Sequence, residues 1–350
     1  MKYVPFLKLK QNECLALRRM TSECHGLITP FFDIPREKDM DEAKYISRVS
    51  ASQKFVERTL KETPFDFYLD VFDVPLNINV QGRHIYEYAL SELSNFNPIP
   101  VVGLDRDIGH IVSAKDYLIA SGNKRVAIRL LEDDLGSYDF AAMQIDSVLG
   151  DVVAIASEVD LIIDLRLLVE SKIGGIIANA IAFIKKSIAS GLYRRVIVSS
   201  SSIPPSISEI VKPQSEKYFA RHEWPVWNAI SGSFPEALIY GDYTVVSPDF
   251  VEFDLAVELM RTVQTPRVIY TGLDTSYAVR GGALKTHGDS QHYVLSDKLI
   301  ATGMFRHGIY SQGDKYIESI QKRIAKSSGN AGSWIAATVN AHMTFLLKNL

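Results

Sequence analysis

The sequence predicts an α/β protein, a TIM-like (β/α)8 barrel with a C-terminal, mainly helical elaboration. Three observations predict it. Eight short runs rich in Val, Ile, Phe and Tyr recur along residues 1–242. Helical patterns lie between them. The runs read as near-continuous apolar stretches, which suits parallel strands covered on both faces. A doubly wound open sheet fits less well. The segment after the first run, Gln11-Asn12-Glu13-Cys14, has none of the glycines of a phosphate-binding turn.

Taken in order, the expected strands are Tyr3–Leu9, Leu27–Asp33, Asp66–Phe72, Ile99–Leu104, Arg125–Leu131, Val159–Leu165, Arg195–Ser200 and Ala237–Asp242. The clearest amphipathic helix is Asp41–Lys61, with Tyr45, Val49, Val56 and Leu60 on one face. Further helical patterns cover Ile85–Leu93, Ile111–Ser121, Tyr138–Leu149, Ile176–Ser190 and Ser215–Ile230. Gly122, Gly150 and Gly191 stand where three of them should stop. Beyond Tyr243 the alternation fails. Thr244–Ser247 and Arg267–Thr271 read as a further strand or hairpin. Helices are expected over Gln291–Thr302, Lys315–Ala325 and Trp334–Leu347. Residues 1–242 are therefore expected to form the barrel. Residues 243–350 should form an elaboration packed on it, without a linker that would free it as a separate domain.

Composition narrows the function classes. The 350 residues are 47% hydrophobic, and 41 acidic against 38 basic residues give a formal charge of −3. That balance supplies no global attraction to nucleic acid or to an anionic membrane. Basic pairs such as Arg18-Arg19, Lys124-Arg125 and Arg194-Arg195 read as solvated helix ends and strand starts. Cys14 and Cys24 have no companion Cys or His at zinc spacing and read as free thiols of a reducing compartment. The apolar run Ile173–Ile184 is too short to span a bilayer, and no leader pattern opens the chain. A cytoplasmic protein is expected, with no membrane partner, no metal and no cofactor.

Barrels of this class build their sites at the C-terminal ends of the strands. There the sequence places Lys8, Asp33, Asp70, Asp164, Arg166, Ser200 and Asp242 as a candidate polar mouth. Asp73, Asp105, Arg106 and Arg129 lie at further strand ends. Paired carboxylates suit Mg²⁺ binding or acid–base work, and they equally suit caps and turns. Val4, Phe6 and Lys8 alternate on one face of the first strand, so Lys8 points inward if its neighbours do. An inward lysine suits a Schiff base, or an ion pair with Asp33 or Asp242. No Gly-x-Ser-x-Gly, His-x-Glu or His-Glu-x-x-His occurs, so nucleophilic serine and hydrolytic zinc chemistry lack support. In the tail, glycine-flanked polar and aromatic residues mark a surface or pocket edge: Arg280, Arg306, Asp314, Trp334 and His342 are the candidates for partner contact.

Several of these segments are similar to the Beta protein family. They are Tyr3-Val4-Pro5-Phe6-Leu7-Lys8, Ile28-Thr29-Pro30-Phe31 with Asp33-Ile34-Pro35, and Gly241-Asp242-Tyr243. Arg267 with Tyr270-Thr271, Ser311-x-Gly313-Asp314-x-Tyr316-Ile317, and Gly329-Asn330 with Trp334 and His342 extend the resemblance over nearly the whole chain. It implies a component of the Gop–Beta–cII cassette of a satellite prophage, a toxin–antitoxin type of phage defence. The implied partner is the Gop toxin, which such a protein neutralises and then releases on phage infection, with a cII-like regulator alongside. The resemblance implies no catalytic residues. The chain departs from it at Ala341-His342, where a His-His pair is expected. The alternative is a barrel enzyme, or a sensor of a small molecule or nucleotide, working through the polar mouth.

Overall fold

A computed structural model describes residues 1–249 and 264–350. Eight parallel strands close a barrel: Tyr3–Lys8, Phe31–Asp33, Tyr68–Asp70, Ile99–Val102, Arg125–Leu131, Glu158–Leu167, Tyr193–Ser201 and Leu238–Asp242. Each falls on one of the eight expected runs. Every strand pairs with the next in sequence, and the eighth closes on the first with Tyr240 opposite Tyr3 and Gly241 opposite Val4. Helices between the strands cover the outside, so apolar side chains on both faces of the strands are buried, which is why the strand runs are so uniformly apolar.

Local chemistry sets the helix limits. Asp41 caps Glu42–Glu62 by accepting from Lys44 N at 2.8 Å, and Asp107 caps Ile108–Ser121 by accepting from His110 N at 2.7 Å. Gly122 and Gly191 end their helices in the left-handed conformation, at φ of 69° and 66°. Gly150 does not stop its helix. A wide turn over Ile145–Leu149 passes into Gly150–Ile155, because buried Leu149 and Val152 carry the apolar face past the glycine.

The helix expected over Ser215–Ile230 divides in two. Glu216–Ala220 is a strand, and the helix begins at Glu223. The strand pairs antiparallel with Thr275–Arg280, which pairs in turn with Arg267–Thr271. A partner that arrives from so far downstream leaves no trace in a local pattern. Thr244–Ser247 is a turn rather than a strand. The tail is therefore a three-stranded sheet under helices Gln291–Ala301, Gln312–Gln321 and Ala331–Leu347, with one strand borrowed from ahead of the eighth barrel strand. Val268, Tyr270, Leu299, Phe305, Ile317 and Trp334 form its own apolar cluster. Val339, Met343 and Leu346 of the last helix join the main core, and Asn340 Nδ2 donates to Ala16 O at 3.0 Å.

Residues 170–190 form the one described segment long and apolar enough by composition to cross a membrane. Here its helix, Ile173–Ser190, buries Ile176, Ala180, Phe183 and Ile184 against the protein. It connects the adjacent parallel strands Glu158–Leu167 and Tyr193–Ser201, so it has to return along the outside of the barrel.

Candidate functional site

Alternation along the strands decides which polar side chains meet. Val4, Phe6, Phe31, Tyr68, Ile99, Val101, Ala127, Ile162 and Ile197 fill the barrel interior, with Tyr243 just past the eighth strand. Two residues further along their strands, Lys8, Asp33, Asp70, Arg129, Asp164 and Ser199 form the next inward layer. The layer is a charge lattice centred on Arg129, which is 1% exposed. Its Nη1 donates to Asp70 Oδ2 at 2.9 Å and lies 3.5 Å from Asp33 Oδ1. Its Nε and Nη2 donate to Asp164 Oδ2 at 3.0 and 2.6 Å. The Tyr243 hydroxyl accepts from Nη2 at 3.0 Å and donates to Asp164 Oδ2 at 2.5 Å. Ser199 Oγ donates to Asp164 Oδ1 at 2.9 Å, and Arg106 Nη2 to Asp70 Oδ2 at 2.7 Å.

Aromatic rings hold the guanidinium from both sides. Phe6 and Phe31 stack at 4.3 Å, and the Arg129 guanidinium carbon lies 5.1 Å from the Phe31 ring centre. Above it, Phe72 has three guanidinium carbons around its ring: Arg129 at 4.3 Å, Arg166 at 4.4 Å and Arg106 at 4.8 Å. Phe72 thus stoppers the mouth. Arg166, at a φ of 48° after a bulge in the sixth strand, reaches out to Asp249 Oδ1 at 2.7 Å.

Lys8 points inward as the alternation requires. Its Nζ donates to Asp33 Oδ2 at 3.1 Å and to Asp73. Of the two partners offered by the sequence, Asp33 is the one it meets. Burial pushes the lysine pKa down, but the Asp33 and Asp73 carboxylates more than offset this and raise it. A lysine held protonated in this way is a poor Schiff-base nucleophile.

The carboxylates respond to the same field. Burial would raise Asp70, yet Arg106 and Arg129 bring it down to about 2. Asp164 is lowered, with burial outweighed by Arg129, Arg166 and the Tyr243 hydroxyl. Asp33 is raised, since burial outweighs Lys8 and Arg129. Depressed carboxyls contribute stability that is present above their unfolded pKa of about 4 and lost as pH falls through the folded values. Asp33 has the opposite sign and offsets part of the loss. The urea midpoint is therefore expected to drop between about pH 4 and about pH 2. A flat midpoint over that window would contradict the lattice.

Asp242 and Ser200 are not in the mouth. Ile239 and Gly241 are in phase with the interior, so Asp242 faces outward beneath the C-terminal helix, and Ser200 lies opposite it in the strand pairing. Asp242 Oδ1 accepts from the Tyr3 hydroxyl at 2.5 Å, and Oδ2 accepts from Arg221 Nη2 at 3.1 Å. His342 Nε2 lies 2.9 Å from Oδ2. Burial opposes ionisation here, but His342, Arg221 and Tyr3 hold the carboxyl well below the usual range. This knot ties the eighth strand to the last helix.

The tail candidates also divide. Asp314, Trp334 and His342 are buried and present no contact surface. Asp314 accepts from the Tyr270 hydroxyl at 2.5 Å, Trp334 Nε1 donates to Ser328 O at 2.9 Å, and His342 Nδ1 lies 2.7 Å from Thr271 Oγ1. Arg280 and Arg306 stay partly exposed. Arg306 sits 4.2 Å from both the Tyr270 and Phe345 rings and donates to Thr271 O at 2.6 Å. Strand-end position marked Arg106 and Arg129 without placing them in the mouth, and it did not mark Phe72 or Tyr243. Alternation through Ala127-x-Arg129 and Gly241-x-Tyr243 carries Arg129 and Tyr243 to the interior.

Beside the stoppered mouth a cleft of about 460 Å³ lies between the barrel and the tail. Lys8, Lys10, Glu13, Asp73 and Asp249 line it on the barrel side, and Arg267, Ile269, Ala331, Gly332 and Ile335 on the tail side. Among the described residues no cluster of three or more His, Cys, Asp or Glu side chains is arranged around a metal position. In the interior Arg129 stands where a cation shared by Asp70 and Asp164 would be.

Fold and site together define a closed (β/α)8-barrel protein whose strand-end charges are bonded to one another and which has a cleft at the seam with the tail. The family model described as Beta protein matches residues 3–348. The chain belongs to that family. A search of curated proteins finds no match to it.

Proposed function

We propose that the chain is an antitoxin-like component of prophage-encoded anti-phage defence. In this reading it binds and neutralises the Gop toxin, releases it on phage infection, and acts beside a cII-like regulator. Family membership over residues 3–348 carries the reading. The interior lattice agrees with it, because Lys8 is engaged with Asp33, and Arg129 with Asp70 and Asp164, and Phe72 lies over the Arg129 guanidinium. Such a barrel is built to hold its shape and present a surface. On the tail, Arg306 keeps exposed area, and Ile309 three residues on is 99% exposed, while Arg280 is partly exposed at the other end of the tail sheet. The surface around Arg306 and Ile309 is the proposed contact. Two buried free thiols suit action in the reducing cytoplasm.

Co-expression tests the proposal. Cells making Gop alone are expected to lose viability, and cells making both proteins to keep it, with Gop recovered on affinity-tagged barrel. Lethality unrelieved by co-expression, with no complex recovered, would refute it. The cleft beside the mouth favours a second reading, that a small molecule bound there governs release.

A further inference from the structure

The cleft between the barrel mouth and the tail combines features that select one kind of ligand. Two helices begin on it. Gln11–Arg18 starts behind Lys10, whose side chain makes no cap hydrogen bond. Ala331–Leu347 starts with Ala331 and Gly332 in the lining. The Asn330 side chain caps Ser333 N at 3.0 Å. The N–H groups of Ala331 and Gly332 have no acceptor among the described residues. Free N–H groups at a helix start carry partial positive charge and suit an oxyanion.

The side chains extend this pattern. Lys10 and Arg267 line the cleft from its two sides, and neither has a carboxylate at ion-pair distance among the described residues. Lys8, by contrast, is held by Asp33 and Asp73. Gly332 lets the two helix starts approach closely, since a Cβ there would come within 2.7 Å of Asn12 Nδ2. A separate observation also points to a ligand. Glu13 is 5% exposed, lines the same cleft, and its Oε2 has no hydrogen-bond partner. A buried carboxyl oxygen left unbonded is costly. A hydroxyl or amino group of a ligand would satisfy it. Ile203, Pro204, Ile207, Val245, Ile269 and Ile335 supply an apolar remainder. At about 460 Å³ the space lies within the usual range for small-molecule sites.

We propose that this cleft binds a nucleoside phosphate. The phosphate meets Lys10, Arg267 and the N–H groups of Ala331 and Gly332, a ligand hydroxyl or amino group meets Glu13, and the apolar lining takes the base. This deepens, and rests on, the sensor reading of the cleft beside the mouth. Because barrel-side and tail-side residues share the ligand, binding ties the two together.

The test uses the purified full-length chain and isothermal titration calorimetry with AMP, ADP, GMP and UMP, with inorganic phosphate and adenosine as half-ligands. At least one nucleotide is expected to bind more tightly than either half-ligand. Lys10→Ala and Arg267→Ala, both at exposed positions, should each weaken it by about 10-fold or more, as loss of a charge-assisted contact does. Glu13→Gln should weaken nucleotide and adenosine binding but not phosphate binding, since it removes a negative charge that acts on Lys10. Three outcomes overturn the proposal: no nucleotide binds, phosphate alone binds as tightly as any nucleotide, or the Lys10→Ala/Arg267→Ala double variant binds like the parent. Because Gop is absent from this measurement, its failure would leave the toxin-restraint reading standing, and failed rescue would leave this one standing.

Discussion

Replacing Arg129 with leucine is expected to destabilise the protein by about 3–5 kcal/mol, a large fraction of a typical total of about 5–15 kcal/mol. The guanidinium is the shared partner of Asp70 and Asp164, lies 3.5 Å from Asp33, and is almost wholly buried. Without it, carboxylates on three strands face one another in a space closed by Phe6, Phe31 and Phe72. Leucine fills part of the volume but supplies no charge. Lysine supplies charge but not the fork that reaches Asp70 and Asp164 together, so Arg129→Lys should recover only part of the loss. Chemical denaturation of the three proteins measures this directly. Adding Asp70→Asn to the leucine variant removes one of the stranded charges and should restore some stability, a coupling that a double-mutant cycle reads out. A leucine variant as stable as the parent would show that the lattice is incidental to the fold.

Gly313→Val is expected to cost about 3 kcal/mol, at the upper end of the usual range for overpacking. Gly313 lies in Gln312–Gln321 where that helix crosses Ala331–Leu347. A Cβ there would collide with the Ala337 carbonyl oxygen and come within 2.8 Å of Ala341 N. These are backbone atoms of a helix and cannot swing aside as a side-chain tip can. The contact is fixed from both sides, since Gly313 N donates to Asn340 Oδ1 at 2.7 Å and Asn340 Nδ2 donates on to Ala16 O. Pushing the helices apart therefore strains the link from tail to barrel as well. Thermal unfolding followed by circular dichroism should show a clearly lower midpoint for Gly313→Val and a smaller drop for Gly313→Ala. A valine variant melting with the parent would mean that the two helices separate at little cost.

This glycine gives a physical reason for one of the segments that carry the family resemblance. In Ser311-x-Gly313-Asp314, Ser311 caps the helix by accepting from Asp314 N at 2.9 Å, Gly313 permits the close crossing, and buried Asp314 receives the Tyr270 hydroxyl. The sequence shows a cap and a glycine. It does not show that the glycine faces another helix, because that depends on a segment some twenty residues later folding back across it.

The eight barrel strands and most of the helices were legible because their signals are local. Apolar runs, amphipathic faces and caps such as Asp41 and Asp107 lie within a few residues of what they control. The strand Glu216–Ala220 was not, because its partner comes from the tail. For the site, strand-end position marked a polar layer but not its membership. Lys8, Asp33, Asp70 and Asp164 share the interior, while Ser200 and Asp242 are out of phase by one residue and face the tail. The buried roles of Asp314, Trp334 and His342 were hidden for the same reason, since burial depends on what packs on top.

By itself, then, the sequence determined the closed order of strands, the charged strand ends and the family, all of which rest on patterns within or between neighbouring βα units. The tertiary structure alone decided that Arg129 gathers the carboxylates, that Phe72 stoppers the mouth, and that a cleft opens between Lys10 and Arg267. Those outcomes follow from closure of the barrel and docking of the tail, which bring together groups from opposite ends of the chain.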